Sequence, residues 1–169
     1  MAQCSEAGLA VLVLRELDLP QDRRAELALL LAQHVQVITA RRPLPGTWGV
    51  HLAAHQPVAD AAAGGVHSRS CHNEEEIERA VAQGAEFVTI SPVATSASKP
   101  GYGPGIGLPG VRRAVAVAED VPVFALGGVD VSNVRDLRVA GAHGVAVMVT
   151  VMRASDPAAV VELLLEGSA

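Results

Sequence analysis

Aromatic side chains are almost missing from this chain, which has one Trp, one Tyr and two Phe in 169 residues. Half of its residues are nevertheless hydrophobic. The core must therefore be packed from Ala, Val and Leu, a composition that suits a parallel α/β sheet covered by helices. Cysteine is scarce too. Cys4 and Cys71 lie far apart without metal-ligand spacing, which leaves a reduced cytoplasmic protein as the plain reading. There is no basic excess: the formal net charge of -5 gives no footprint for nucleic acid. No apolar run approaches the roughly 20 residues needed to cross a bilayer, so no membrane partner is expected. Met1 to Ser5 hold no charged segment leading into an apolar one, and no secretory signal is read there. The length suffices for one core, and no composition break divides it, so a single domain over residues 1–169 is expected.

What the chain does have is a series of short apolar runs separated by helical stretches. Leu9–Leu14, Val35–Ile38, Trp48–Leu52, Val66–Ser70, Glu86–Ile90, Val121–Leu126 and Gly144–Met148 read as strands, the fourth being the weakest. Asp18-Leu-Pro20 opens a helix to about Gln33. Asn73 before Glu74-Glu75-Glu76 is a strong helix start, with an Asx cap and a negative first turn that reads as solvated. Further helices are expected over Leu108–Ala118, Ser132–Ala140 and Ala158–Glu166, and at most a short one within Ala53–Ala63. Ser91 to Gly107 is a long Ser-, Gly- and Pro-rich loop, and such length argues for function. A repeated βα order means a doubly wound sheet or a (β/α)8 TIM-type barrel. Glycines and polar groups just after the strands favour the barrel, whose strand ends carry the site.

Two motifs stand out on chemistry alone. Gly127-Gly128 follows a buried strand and exposes bare backbone N–H groups, a common phosphate cradle, although a tight turn would also use them. Lys99, with Ser96 and Ser98 before it, reads as a phosphate clamp or as a solvated surface cation. His72, between a strand and a helix start, suits a proton shuttle, with Ser70 on the same face. The alternative is a histidine bonded only to backbone. Arg15 ends a predicted buried strand and needs either a phosphate or a carboxylate partner. His51 lies inside a strand and reads as structural. Cys71 should face away from Ser70 and His72.

These segments resemble the thiamin phosphate synthase/TenI family. Ser91-Pro-Val-Ala-Thr-Ser-Ala-Ser-Lys-Pro100, Ala125-Leu-Gly-Gly128 and Gly141-Ala-His-Gly-Val-Ala-Val-Met148 are similar to its second half. Leu14-Arg15, Gly49-Val-His-Leu52 and Ser70-Cys-His72 resemble its Q-L-R, G-V-H-L and S-x-H segments. The resemblance implies a (β/α)8 barrel, here lacking the family's first strand and so keeping about seven. An open barrel of that kind leaves sheet edges that either a second copy of the chain, as a homo-oligomer, or a local rearrangement would have to cover. It also implies substrate- or phosphate-binding roles for Arg15, Ser96, Ser98, Lys99, Gly127, Gly128, Met148 and Val149, and catalytic roles for His72 and Ser70. The family's magnesium aspartates are replaced by Ala40 and Gln56, so no metal or cofactor is expected unless other residues hold the magnesium. The implied ligand is a small phosphorylated thiazole or pyrimidine. With the aspartates gone and His72 kept, an isomerase of the TenI tautomerase kind is the first expectation. A thiamin phosphate synthase (a transferase) and a non-catalytic phosphate-binding relative are the alternatives.

Overall fold

The computed structural model describes residues 1–61, 65–95 and 104–168. Seven strands, β1 (Val11–Leu14), β2 (Gln36–Ala40), β3 (Gly49–Leu52), β4 (Val66–Cys71), β5 (Phe87–Ile90), β6 (Val123–Leu126) and β7 (Gly144–Ala146), follow one another along the chain. They also follow one another in space: the sheet order is β1 to β7, every pair parallel. Crossover helices pass over one face, and the sheet curls into a TIM-type barrel that stays open between β1 and β7. The helices are α1 (Ala2–Glu6), α2 (Gln21–Leu31), α3 (Glu74–Ala82), α4 (Gly107–Ala118), α5 (Val134–Val139), α6 (Val149–Met152) and α7 (Pro157–Ser168). Near the open side α1 packs on α7.

Between sheet and helices lies the aliphatic core the composition demands. Cys71, Ile77, Ala80, Val88, Ile90, Ala114 and Val123 form one cluster of β4–β6 with α3 and α4. Val111, Ala125, Leu137 and Ala142 extend it under α5. Leu14, Ala28 and Val37 form a separate cluster under α2. Each fully buried Val, Leu or Ile contributes about 1.5–3 kcal/mol of transfer free energy, so these layers hold the strand ends in place. Among the described residues no helix is long and apolar enough to cross a membrane.

Several elements differ from expectation. The fourth strand is the longest, Val66–Cys71, and its pattern is weak in the sequence because His67, Ser68 and Arg69 are polar residues buried at its centre. Leu9 is not part of β1, since its N–H turns back to the Cys4 carbonyl to close α1. Asp18 caps nothing, and α2 starts after Pro20. Strand β7 ends at Ala146, and Val149–Met152 forms a turn of helix. Asn73 does cap α3, its Oδ1 accepting from the Glu76 N–H at 2.9 Å.

Candidate functional site

Strand register decides which side chains share the barrel interior. Ala40 pairs with His51, His51 with Ser68, and Ser68 with Phe87. Ser70 pairs with Thr89, and Thr89 with Phe124. Their sequence neighbours Val50, Leu52, Cys71, Val88 and Ile90 are fully buried, with Cys71, Val88 and Ile90 in the helix-facing core. The alternate residues therefore face the lumen. Cys71 points outward as expected, and burial pushes its thiol up to about 12, so it is no nucleophile.

His51 anchors the lumen. Its Nδ1 lies 2.9 Å from Ser68 Oγ and its Nε2 lies 2.8 Å from Ser70 Oγ. Burial, and then the charges of Arg15, Arg69 and His67, push its pKa down to about 4. The ring is thus neutral near pH 7. Ser68 Oγ donates to the Val50 carbonyl at 3.4 Å. With that proton committed, His51 donates from Nδ1 to Ser68, and its Nε2 accepts from Ser70. Ser70 is then left with oxygen lone pairs facing the lumen. Beside it, the buried Thr89 Oγ1 has no hydrogen-bond partner among the described residues. Both phenylalanines stand on the same face. His51 stacks on Phe87 at 6.3 Å, and Phe87 meets Phe124 edge-on at 5.3 Å. The result is a neutral interior with an apolar wall and three hydroxyls, those of Ser68, Ser70 and Thr89.

At the mouth, Gly127 and Gly128 follow β6 with φ of +88° and +71°. A Cβ on Gly128 would come within 2.8 Å of Ala94, and one on Gly127 within 3.1 Å of Pro92. The chain after β5 crosses so closely that Val93 and Ala94 donate to the Leu126 and Gly127 carbonyls at 3.0 Å. The paired glycines therefore have a packing reason, and their position leaves backbone at the strand ends. Thr150 Oγ1 donates to the Val129 carbonyl at 2.7 Å and draws α6 against this turn. Met148 is exposed and precedes α6, whose first residue is Val149. Ser96, Ser98 and Lys99 lie outside the described residues.

His72 does not share the Ser70–His51 network. It ties to α3 instead: Glu76 Oε2 accepts from the His72 N–H at 2.7 Å and lies 2.9 Å from its Nδ1. Glu76 is buried, which corrects the reading of a wholly solvated acidic turn. His72, Asn73, Ile90, Gly110 and Arg113 border a cleft of about 400 Å³ between α3 and α4. Arg15 also departs from expectation. Strand β1 is a sheet edge, so Arg15 is exposed, and it has no ion-pair partner among the described residues.

Two further arginines went unnoticed in the sequence because each sits inside an element. Arg24 of α2 is buried and donates to the carbonyls of Leu14 and Ala40 at 3.1 and 2.6 Å, joining the ends of β1 and β2. Arg69 of β4, 1% exposed, donates to the carbonyls of Ala53, Ala54 and Gln56 at 3.1, 3.1 and 2.7 Å. Burial lowers the pKa of both from the usual value. His51 as a lumen residue, Thr89 and Glu76 were also missed. The alternation of β3 to β5 was the signal for the first two, and the four-residue spacing from His72 was the signal for Glu76.

The residues where the resemblance implies magnesium do not fit that ion. Ala40 offers only a methyl group. Gln56 Oε1 accepts from the Ala53 N–H at 3.2 Å, and its Nε2 donates to the Arg41 carbonyl and to Asp60 Oδ2. Among the described residues no group of three or more His, Cys, Asp or Glu side chains could hold a metal.

Comparison with known proteins places this geometry. The family model described as thiamine monophosphate synthase matches residues 1–151. A thiamine-phosphate synthase of Salinispora arenicola is 44% identical over 106 residues, covering 63% of this chain and 49% of that one. A putative thiamine-phosphate synthase of Geobacter sulfurreducens is 34% identical over 170 residues, covering 89% of this chain and 76% of that one. The match thus spans about half of the Salinispora protein's length. A solved thiamine phosphate pyrophosphorylase from Pyrococcus furiosus superposes with a TM-score of 0.88 at 24% identity, covering 99% of this chain and 86% of that one. At that identity the superposition speaks for the fold.

Proposed function

The chain belongs to the thiamine monophosphate synthase family, and we propose that it joins a pyrimidine carried as its pyrophosphate to a phosphorylated thiazole. The relatives compared above carry synthase names, which favours this transferase reading over the isomerase expected first from the sequence. The observation that carries it is the lumen itself. A neutral His51 fixes Ser70 beside Thr89 and Phe124, at strand ends next to those that carry Gly127 and Gly128.

The thiazole nitrogen donates its lone pair to the pyrimidine's pyrophosphate-bearing carbon. A C–N bond forms, and the C–O bond breaks with its electron pair leaving on pyrophosphate. Positive charge builds on the carbon and negative charge on the leaving group. The residues divide between these two ends. Because His51 is neutral, it places no cation against the carbon. Phe87 and Phe124 give flat rings an apolar wall, and the Ser70 oxygen accepts a hydrogen bond from an amino N–H carried on the pyrimidine ring. At the mouth, the backbone N–H groups of Gly127 and Gly128 hold the phosphate ester, and Arg15 faces the departing anion.

Incubation of the purified chain with both substrates should yield thiamin phosphate, and Ser70→Ala should lower kcat/KM at least tenfold. A second reading, a proton transfer on the thiazole by His72, is favoured by the Glu76 carboxylate that orients the imidazole. No thiamin phosphate, together with aromatisation of the thiazole carboxylate tautomer that His72→Ala abolishes, would shift the conclusion to that reading.

A further inference from the structure

We propose that this chain binds its phosphorylated ligands without a divalent cation, fixed guanidinium charge taking the place of the metal. The proposal rests on the functional reading above for the identity of the anion and on the structure for the absence of a metal cage among the described residues.

A divalent ion of the magnesium kind needs hard oxygen ligands, usually carboxylates with substrate phosphate. At the end of β2 the lumen-facing residue is Ala40, whose carbonyl accepts from Arg24 Nη2 at 2.6 Å and from the Arg42 N–H at 2.9 Å. After β3, Gln56 is a brace: its amide spans the Ala53 N–H, the Arg41 carbonyl and Asp60. An Asp there would be one methylene shorter and could donate neither of the last two bonds. It would also set a second carboxylate near Asp60. The local turn is therefore built around a neutral amide.

Charge balance supports the same conclusion. Two carboxylates and a divalent ion sum to zero, and so do Ala40 and Gln56 with no ion. Losing both acids together thus leaves the mouth as electropositive as a loaded carboxylate cage would. That field has a source here. Arg24 and Arg69 are buried under the ends of β1 to β4, bonded only to carbonyls and paired with no carboxylate among the described residues. Arg15 and Arg41 stand exposed at the ends of β1 and β2, again without an acidic partner among the described residues. A buried guanidinium that neutralises no acid projects its charge toward the mouth, and the exposed pair can close on an oxyanion with bidentate geometry.

The test uses inorganic pyrophosphate as the probe and calorimetric titration of the purified chain, in EDTA and in excess magnesium. Affinity in EDTA should equal or exceed that in magnesium, and Arg15→Met should weaken it at least tenfold. A tenfold or greater loss on adding EDTA, or pyrophosphate binding in neither buffer, overturns the inference. So does an Arg15→Met protein with unchanged affinity. Manganese added to the protein alone should show no bound fraction by electron paramagnetic resonance, and a bound fraction also overturns it. Thiamin phosphate formation, measured separately, judges the functional reading whichever way these titrations fall.

Discussion

At the scale of single residues, His51 carries the sharpest consequence. Its folded-state pKa of about 4 lies below the ordinary histidine value of 6.5. Above pH 6.5 the ring is neutral in both the folded and unfolded chain and costs nothing. Below it the unfolded chain takes up a proton that the folded chain refuses, so stability falls as pH drops from 6.5 toward 4. The loss reaches at most about 3 kcal/mol. Urea titrations across that window should show His51→Asn flattening this slope relative to the parent. An unchanged slope would remove His51 as its source. Gly128 is a second such residue. Alanine there meets a left-handed φ and a 2.8 Å approach to Ala94, so Gly128→Ala should lower the unfolding free energy by about 2 kcal/mol or more. Lys99 is the chain's only lysine. With Lys99 proposed as a phosphate clamp, Lys99→Ala should weaken binding of the phosphorylated thiazole about tenfold in titration calorimetry, and unchanged affinity would remove Lys99 from the site.

At the scale of elements, the strand ends are held by guanidinium-to-carbonyl bonds. Arg24→Met would leave the Leu14 and Ala40 carbonyls without their buried donor, at a cost of roughly 2 kcal/mol. Hydrogen exchange should then quicken at the ends of β1 and β2 while β4 and β5 keep their protection. Uniform loss across all strands would argue against so local a role. The same elements show what could be read in advance. The Asn73 cap of α3 was legible because capping is local chemistry between neighbouring residues. The extent of β4 was not, because His67, Ser68 and Arg69 look polar until the helices and the β3 loop supply their burial and their partners. The separation of Ser70 from His72 was likewise hidden. Alternation sets them on one face, but Glu76 captures His72 and His51 captures Ser70. Those partners depend on which strands and helices meet.

At the scale of the whole molecule, the barrel was legible from repeated βα order and from glycines at strand ends. Its opening between β1 and β7 was legible from the strand count against the family pattern. The lumen was not, since His51, Thr89 and the two phenylalanines come together only through register across four strands. The proposed function requires that phosphorylated ligand occupy this lumen and its mouth. It is tested most directly by amide chemical-shift mapping of the 169-residue chain titrated with the phosphorylated thiazole. The largest shifts are expected at Gly127, Gly128, Ser70 and His51. Shifts confined to the α3–α4 cleft around Asn73, Gly110 and Arg113, with Gly127 and Gly128 unmoved, would contradict it.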